Sequence, residues 1–269
     1  MDQVVVDKVG SGETAVSPTH YINISIGSPQ ATEAEIVTET QACISVNGFE
    51  LATFMCSPND LDKLALGFLY NENIISSLND VRSLHLSKSN CVDVWLHDAR
   101  FEPPRRLVVT AGCGGGVTFD DLSAQHPPLQ IETQATPHQL AELMRQMHLG
   151  AEMYQRARGI HTAALATPEQ LLLQVEDIGR HNCLDKLRGM ALVEGIATEG
   201  CILLSSGRIS SEMINKARRL QTPIVCSRTS PTSLSVALAE AWNITIVAYL
   251  RQDRMRIYTH PKRVLFEVE

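Results

Sequence analysis

No CxxC pair occurs in this 269-residue chain, and its seven cysteines (Cys43, Cys56, Cys91, Cys113, Cys183, Cys201, Cys226) are odd in number and far apart. That spacing argues against a disulfide framework and against a zinc knuckle. An excess of basic residues is missing too, although small basic clusters remain. The 23 Lys and Arg stand against 30 Asp and Glu, a net charge of -7, so the many phosphate contacts of a general nucleic-acid binder have no source. No apolar run approaches the roughly 20 residues of a transmembrane helix. The opening MDQVVVDKVGSGETAVS lacks the basic head and apolar run of a secretory leader, and the expectation is a cytoplasmic protein without membrane association. Neither a P-loop GxxxxGKS/T nor a GxGxxG is present, which disfavours ATP hydrolysis and a dinucleotide fold. Internal repeats and low-complexity tracts are also absent.

What is present is enough apolar sequence, 44%, to bury a sizeable core, and the length suggests two domains. In the first half, short alternating runs such as Ala42 to Phe54 and Val92 to Leu96 predict strands. One helix interrupts them: Ser57-Pro58 before Asp60 reads as its start, with a capping hydroxyl, and Leu61, Leu64, Ala65, Phe68 and Leu69 form one apolar face. The polar, proline-bearing stretch from Phe119 to Pro137 reads as a connection between domains. Thr136 to Gln139 is a capping-box start, followed at helical spacing by Leu140, Leu143, Met144, Met147, Ala151 and Tyr154. Strand and helix then alternate: IHTAALA, LLLQV, a helix from about His181 to Gly195, CILLS, a helix from Ser211 to Leu220, PIVC, a helix from Thr232 to Trp242, and ITIVAYL. This order predicts an α/β layer structure on a buried, mainly parallel sheet. The expected organisation is a flexible segment 1–18, a β-rich domain 19–134 and an α/β domain 135–269, α+β overall.

Four segments could carry chemistry. Thr110-Ala111-Gly112-Cys113-Gly114-Gly115-Gly116 surrounds one cysteine with four glycines after an apolar run. Glycine opens positive φ and close approach, and successive N–H groups there can form an anion-binding concavity that favours a thiolate. A tight turn that contains a cysteine is the alternative. Cys201 and Cys226, within apolar runs, read as core. Glu176 to Asn182 sits where a strand ends and a helix starts, with Arg180 able to pair with phosphate and His181 able to move a proton or hydrogen-bond a ring, or simply to serve the helix start. Ser205-Ser206-Gly207-Arg208 and Ser227-Arg228-Thr229 repeat the strand-to-helix pattern, which suits phosphate or pyrophosphate. Three such loops are expected to line one crevice. Tyr249-Leu250-Arg251-Gln252-Asp253-Arg254 is an edge loop or hairpin whose arginines suit an anionic nucleotide, or are solvated.

GCGGG, HTAALA, EDIGRHN with LDKL, LSSGRISSEM, SRTSPTSL and RIYTHPKR, in this order, closely resemble the FdhD family of formate dehydrogenase accessory proteins, over about Ser45 to Arg263. The resemblance implies a sulfurtransferase that takes persulfide sulfur from a cysteine desulfurase and passes it to the molybdenum bis-guanine dinucleotide cofactor before formate dehydrogenase receives it. It also implies that Cys113 carries the persulfide, that Tyr249 to Arg254 bind the guanine nucleotide, that the chain forms a homodimer, and that the C-terminal domain is a three-layer α/β/α unit like cytidine deaminase. Some relatives have a CxxC in the cysteine loop. Here the second position is Gly116, so a resolving cysteine is missing from it, whereas a relay on one thiol needs none. Deamination itself would need H-x-E and PCxxC; His161-Thr162-Ala163 has alanine in place of the glutamate, and no cysteine pair follows. A chaperone that holds the cofactor, with Cys113 incidental, is the main alternative, and a general thiol oxidoreductase is a minor one.

Overall fold

A computed structural model of the chain describes residues 4–10, 12–25, 28–104, 108–109, 117–118, 126–252 and 254–266. Its first part comprises β1 (Val5–Lys8), a long hairpin of β2 (Val16–Ser25) and β3 (Ser28–Val37), β4 (Thr40–Val46), β5 (Phe49–Cys56), α1 (Leu61–Asn71), β6 (Val81–Leu86), β7 (Cys91–Leu96) and the short pair β8 (Val108–Val109) and β9 (Val117–Thr118). Strict alternation sends Ala42, Ile44, Val46, Ala52, Phe54, Val92 and Val94 to one face of a five-stranded sheet ordered β1-β6-β7-β4-β5. Helix α1 covers that face with the predicted Leu61, Leu64, Ala65, Phe68 and Leu69.

Three features differ from the expectations above. Within the segment read as a flexible N-terminus, Val5–Lys8 pairs in parallel with β6. Helix α1 is preceded by Asp60 in the left-handed region with no side-chain cap, because the Ser57 hydroxyl is used elsewhere: it accepts from the Ile178 amide at 3.2 Å. Cys43 and Cys91, neighbours in the parallel β4–β7 ladder, form a disulfide; sequence spacing says nothing of a pair brought together by a crossover.

The second part comprises α2 (Pro137–Leu149), α3 (Glu152–Ala157), β10 (His161–Ala166), β11 (Leu171–Asp177), α4 (Arg180–Glu194), β12 (Ile202–Ser205), α5 (Ser211–Arg219), β13 (Ile224–Ser227), α6 (Ser233–Ala241), β14 (Thr245–Arg251) and β15 (Arg254–Ile257). The capping box at Thr136 and Gln139 starts α2 as predicted. The helix stops at Leu149, and Tyr154 belongs to α3. The sheet, ordered β11-β10-β12-β13-β14-β15, is mixed rather than mainly parallel. Among the described strands of this sheet, parallel pairing is confined to β12, β13 and β14, since the β10–β11 and β14–β15 connections are too short for a crossover and must make hairpins. Leu140, Leu143, Met144 and Met147 of α2 cover one face. Helices α4, α5 and α6 cover the other through Leu184, Leu187, Met213, Ala217 and Ala239, giving three α/β/α layers.

The two sheets meet where α1 crosses α4. Gly67 and Gly189 sit at the crossing: a Cβ on Gly67 would overlap the Asp185 carbonyl, and one on Gly189 would overlap that of Lys63. Glycine on both helices is therefore what allows backbone-to-backbone contact. As a consequence α4 is buried on nearly every side, and its buried Asp185 and Lys186 are paired. Lys186 Nζ lies 2.7 Å from Asp177 and donates to the Ser57 carbonyl. Asp185 accepts from Asn71 of α1 at 2.7 Å and from Lys216 of α5 at 2.6 Å. Burial works against the Lys216 ammonium, but Asp185, Glu212 and Glu72 outweigh it and hold its pKa above the ordinary lysine range.

Candidate functional site

Because β12, β13 and β14 are parallel, the loops that follow them leave one edge of the sheet together. Strand β10 runs antiparallel to β12 and so begins at that edge with His161, where β11 also ends, Asp177 lying opposite His161. Open α/β sheets take their ligands at such an edge. Backbone contacts tie the loops to one another: the Ile209 amide donates to the Ser230 carbonyl, and the Tyr249 amide to the Thr229 carbonyl.

Two adjoining cavities open between these loops and α2. The smaller, about 310 Å³, is lined by His148, Tyr154, His161, Ser206, Arg228 and Arg251. The larger, about 900 Å³, has an apolar floor of Met144, Leu250 and Met255 with Arg145, Arg228 and Arg251 around it. His148, Arg228 and Arg251 belong to both, so the two read as one bent cleft. Arg228 donates to His148 Nδ1 at 2.8 Å, and its carbonyl accepts from Arg251 Nε at 3.3 Å. A nitrogen that accepts from a guanidinium must be unprotonated. Accordingly, burial, with Arg228 and Arg158 adding to it, lowers the His148 pKa. His161 is lowered as well, by burial and by Arg180, and its Nδ1 lies 3.2 Å from the Ser206 hydroxyl. The cleft therefore presents fixed cations and neutral imidazoles above an apolar floor, a combination that suits a flat ring carrying phosphate.

Tyr249 adopts φ +52°, where the β14–β15 register slips. A bulky side chain in the left-handed region costs about 1–3 kcal/mol and is tolerated where the surroundings enforce it. Here the Thr229 carbonyl and the Arg256 guanidinium, 4.3 Å from the ring centroid, hold it. The kink sets the Leu250 and Arg251 side chains at the cleft.

Of the residues singled out from sequence, Ser206, Arg228, Leu250, Arg251 and Gln252 line the cleft. Tyr249, Arg251 and Arg254 line a neighbouring hollow against Met255. Ser227 is buried and shapes its loop: its hydroxyl donates to the Gly207 carbonyl at 2.6 Å and accepts from the Thr229 amide. Gly207 is glycine because a Cβ would stand 2.9 Å from that of Arg180. Arg208 is exposed and lines neither cavity. Arg180 and His181 are buried behind the loops. His181 places Nδ1 3.1 Å from Glu212 and Nε2 3.0 Å from the Ser210 hydroxyl. A carboxylate only accepts, so Nδ1 carries the proton, and Ser210 donates to Nε2 while its oxygen caps α5 at the Met213 amide. Burial pushes the His181 pKa down to about 3. Cys113 and Asp253 lie outside the described residues.

Sequence reading passes over Arg145 and His148, places Tyr154 on the stripe of α2 and weighs His161 only against a deaminase motif. A signal for two of them exists: Ala141, Arg145 and His148 recur at spacings of four and three beside the apolar stripe of α2.

Compared with known proteins, residues 37–265 match the FdhD/NarQ family. The chain belongs to that family. Its similarity to the sulfur carrier protein FdhD of Bacillus subtilis (strain 168) is 34% identity over 247 residues, 88% of this chain and 93% of the relative. To the sulfur carrier protein FdhD of Halalkalibacterium halodurans it is 36% over 242 residues, 87% and 89% of the two chains. The crystal structure of a Desulfotalea psychrophila protein, assigned as a formate dehydrogenase accessory protein, superposes with a TM-score of 0.79 at 25% identity, covering 94% of this chain and all of that one. The FdhD/NarQ match takes in the six-stranded sheet, four of the five strands of the other sheet and the helices that join them, and leaves out β1, β2 and all of β3 but Val37.

Proposed function

We propose that this chain is a sulfurtransferase in the maturation of formate dehydrogenase. A cysteine desulfurase supplies the sulfur, the Cys113 thiolate attacks the terminal sulfur of its persulfide, and the donor cysteine leaves as a thiolate. The molybdenum bis-guanine dinucleotide cofactor, bound as substrate, then takes the outer sulfur of the Cys113 persulfide: as the S–S bond breaks, two electrons from a reduced Mo(IV) centre, which becomes Mo(VI), bring that sulfur to the sulfide level, and its proton returns Cys113 to the thiol. Relatives named sulfur carriers support the reading, and the observation that carries it is the cleft ringed by Arg145, Arg228 and Arg251. These guanidinium groups would seat the phosphates, while Met144, Leu250 and Met255 would lie against a flat ring. In this reading Arg180, His181, Ser227 and Gly207 act by fixing the loops, and Asp253 and Arg254 complete the nucleotide end. The protein works in the cytoplasm as a homodimer and hands the cofactor to formate dehydrogenase.

The same cleft supports a second reading, a chaperone that holds the cofactor without passing sulfur. Intact mass after incubation with a cysteine desulfurase and cysteine separates them. The transferase gains one sulfur, about 32 Da, that a reductant removes and that Cys113→Ala does not acquire. A wild-type protein that stays unmodified while still binding the cofactor is the chaperone.

A further inference from the structure

The described cysteines fall into two groups. Cys56, Cys183, Cys201 and Cys226 are buried, and burial pushes each thiol up, Cys56 to about 12. Such thiols are inert. Cys43 and Cys91 are half-buried, lie on the face of the five-stranded sheet opposite α1, and are bonded to each other.

Their position in the sheet is particular. β4 pairs with β5 and β6 with β7 as antiparallel neighbours, and among the described strands the four-residue parallel ladder of β4 and β7 joins these pairs. Cys43 and Cys91 make the first rung of that ladder, with Cα atoms 4.5 Å apart. The flanking residues are small and polar: exposed Thr53 opposite Cys43 on β5, and Ser87, whose hydroxyl accepts from the Cys91 amide. From Cys43 the hairpin runs three rungs to the Thr40–Cys56 pair, and the next residue, Ser57, enters the buried cluster under the cleft. There the Ser57 amide donates to Asp177 at 3.1 Å and its hydroxyl accepts from Ile178; the Met55 carbonyl accepts from Asn182, which also donates to Asp177.

We propose that Cys43–Cys91 is a reversible thiol–disulfide site, acted on by a dithiol reductant, whose state is transmitted along β5 to the Asp177–Asn182 loop. One thiolate of the reductant attacks a sulfur of the pair, breaking the Cys43–Cys91 bond and releasing the other cysteine as a thiolate. The second thiol of the reductant resolves the mixed disulfide, so the reductant leaves oxidised and both cysteines become thiols. The ladder hydrogen bonds and the α1 packing on the other face remain, so the sheet opens at one rung rather than unfolds. Released from the staple, the β4–β5 hairpin holds Ser57 and the Met55 carbonyl less firmly against the loop.

The test uses the full chain carrying Cys113→Ala, so that failure of sulfur relay at Cys113 leaves it untouched. The folded protein is alkylated with N-ethylmaleimide before and after dithiothreitol, its peptides are mapped, and amide hydrogen exchange is followed in both states. The expected result is no label at Cys43 or Cys91 before reduction and label on both after it, with Cys56, Cys183, Cys201 and Cys226 unlabelled throughout. Exchange at Ser57, Ile178 and Gly179 should rise several-fold on reduction and return on reoxidation with diamide. A Cys43→Ser, Cys91→Ser double variant should exchange like the reduced protein and ignore the dithiol. Label on both cysteines without reductant after diamide, a bond that resists dithiothreitol, or exchange at those amides equal in the two states overturns the proposal.

Discussion

His181, at the head of α4, makes stability depend on pH. Its pKa falls to about 3 in the fold, against about 6.5 for the unfolded chain. Between these values the unfolded state binds the extra proton, so the stabilisation is complete above about pH 6.5 and is lost progressively as pH falls toward 3. From pH 7 to pH 5 the loss amounts to about 2 kcal/mol. Urea midpoints of wild type and His181→Gln at the two pH values should show a steeper decline in wild type by about that amount. Equal slopes would mean that the ring is protonated or solvated in the fold. At this scale the sequence revealed Arg228 and Arg251, since a cation just past a strand end in an α/β order points to the ligand edge. Arg180 and His181 looked equivalent to them, yet the α1–α4 crossing and α5 bury both. Arg145, His148 and His161 come from elements whose place at the cleft depends on the order of strands, which periodicity does not encode.

Among the elements, α4 depends on a glycine that would ordinarily weaken it. In an exposed helix, Gly→Ala gains up to about 1 kcal/mol. At Gly189 the added methyl would enter the Lys63 backbone carbonyl, and backbone cannot rotate aside as a side chain can, so the sign reverses. Gly189→Ala should lower stability by about 3 kcal/mol, read from urea unfolding; a neutral or stabilised variant would show that α1 and α4 are not in backbone contact. Most elements were legible beforehand because their signals are local: the Thr136–Gln139 capping box, the alternation in β4, β5 and β7, and the apolar face of α1. The misread cap of α1 has a distant cause. Ser57 is a good helix cap by residue type, and a partner 121 positions away takes its hydroxyl instead.

On the scale of the whole molecule, the two sheets are joined by buried charge as well as by the packing of α1 on α4. Asp177 receives the amides of Ser57 and Gly179, the Asn182 amide group and the Lys186 ammonium, all within 3.1 Å. Asp177→Asn leaves the Lys186 ammonium buried without its counter-charge and should cost about 3–5 kcal/mol. The two tryptophans report on the two halves, Trp95 in β7 and Trp242 at the end of α6. Proteins retaining only one of them should unfold at the same denaturant concentration with Asp177 present and at different concentrations in the Asp177→Asn background, since the seam is what makes the transition common. Coincident midpoints in both would assign the cooperativity to apolar packing alone.

The sequence by itself determined which segments become strands and helices, which faces they bury, and which loops carry glycine, arginine and hydroxyl at strand ends, because burial period, caps and turn residues act within a few positions of each other. Tertiary structure alone decided the mixed strand order that gathers those loops into one cleft, the pairing of Cys43 with Cys91, and the matching of Asp177 with Lys186 and of Asp185 with Lys216. Each of these joins groups whose separation along the chain carries no information about their distance in space, and a charge buried in a low-dielectric interior is acceptable only once its partner has been brought beside it.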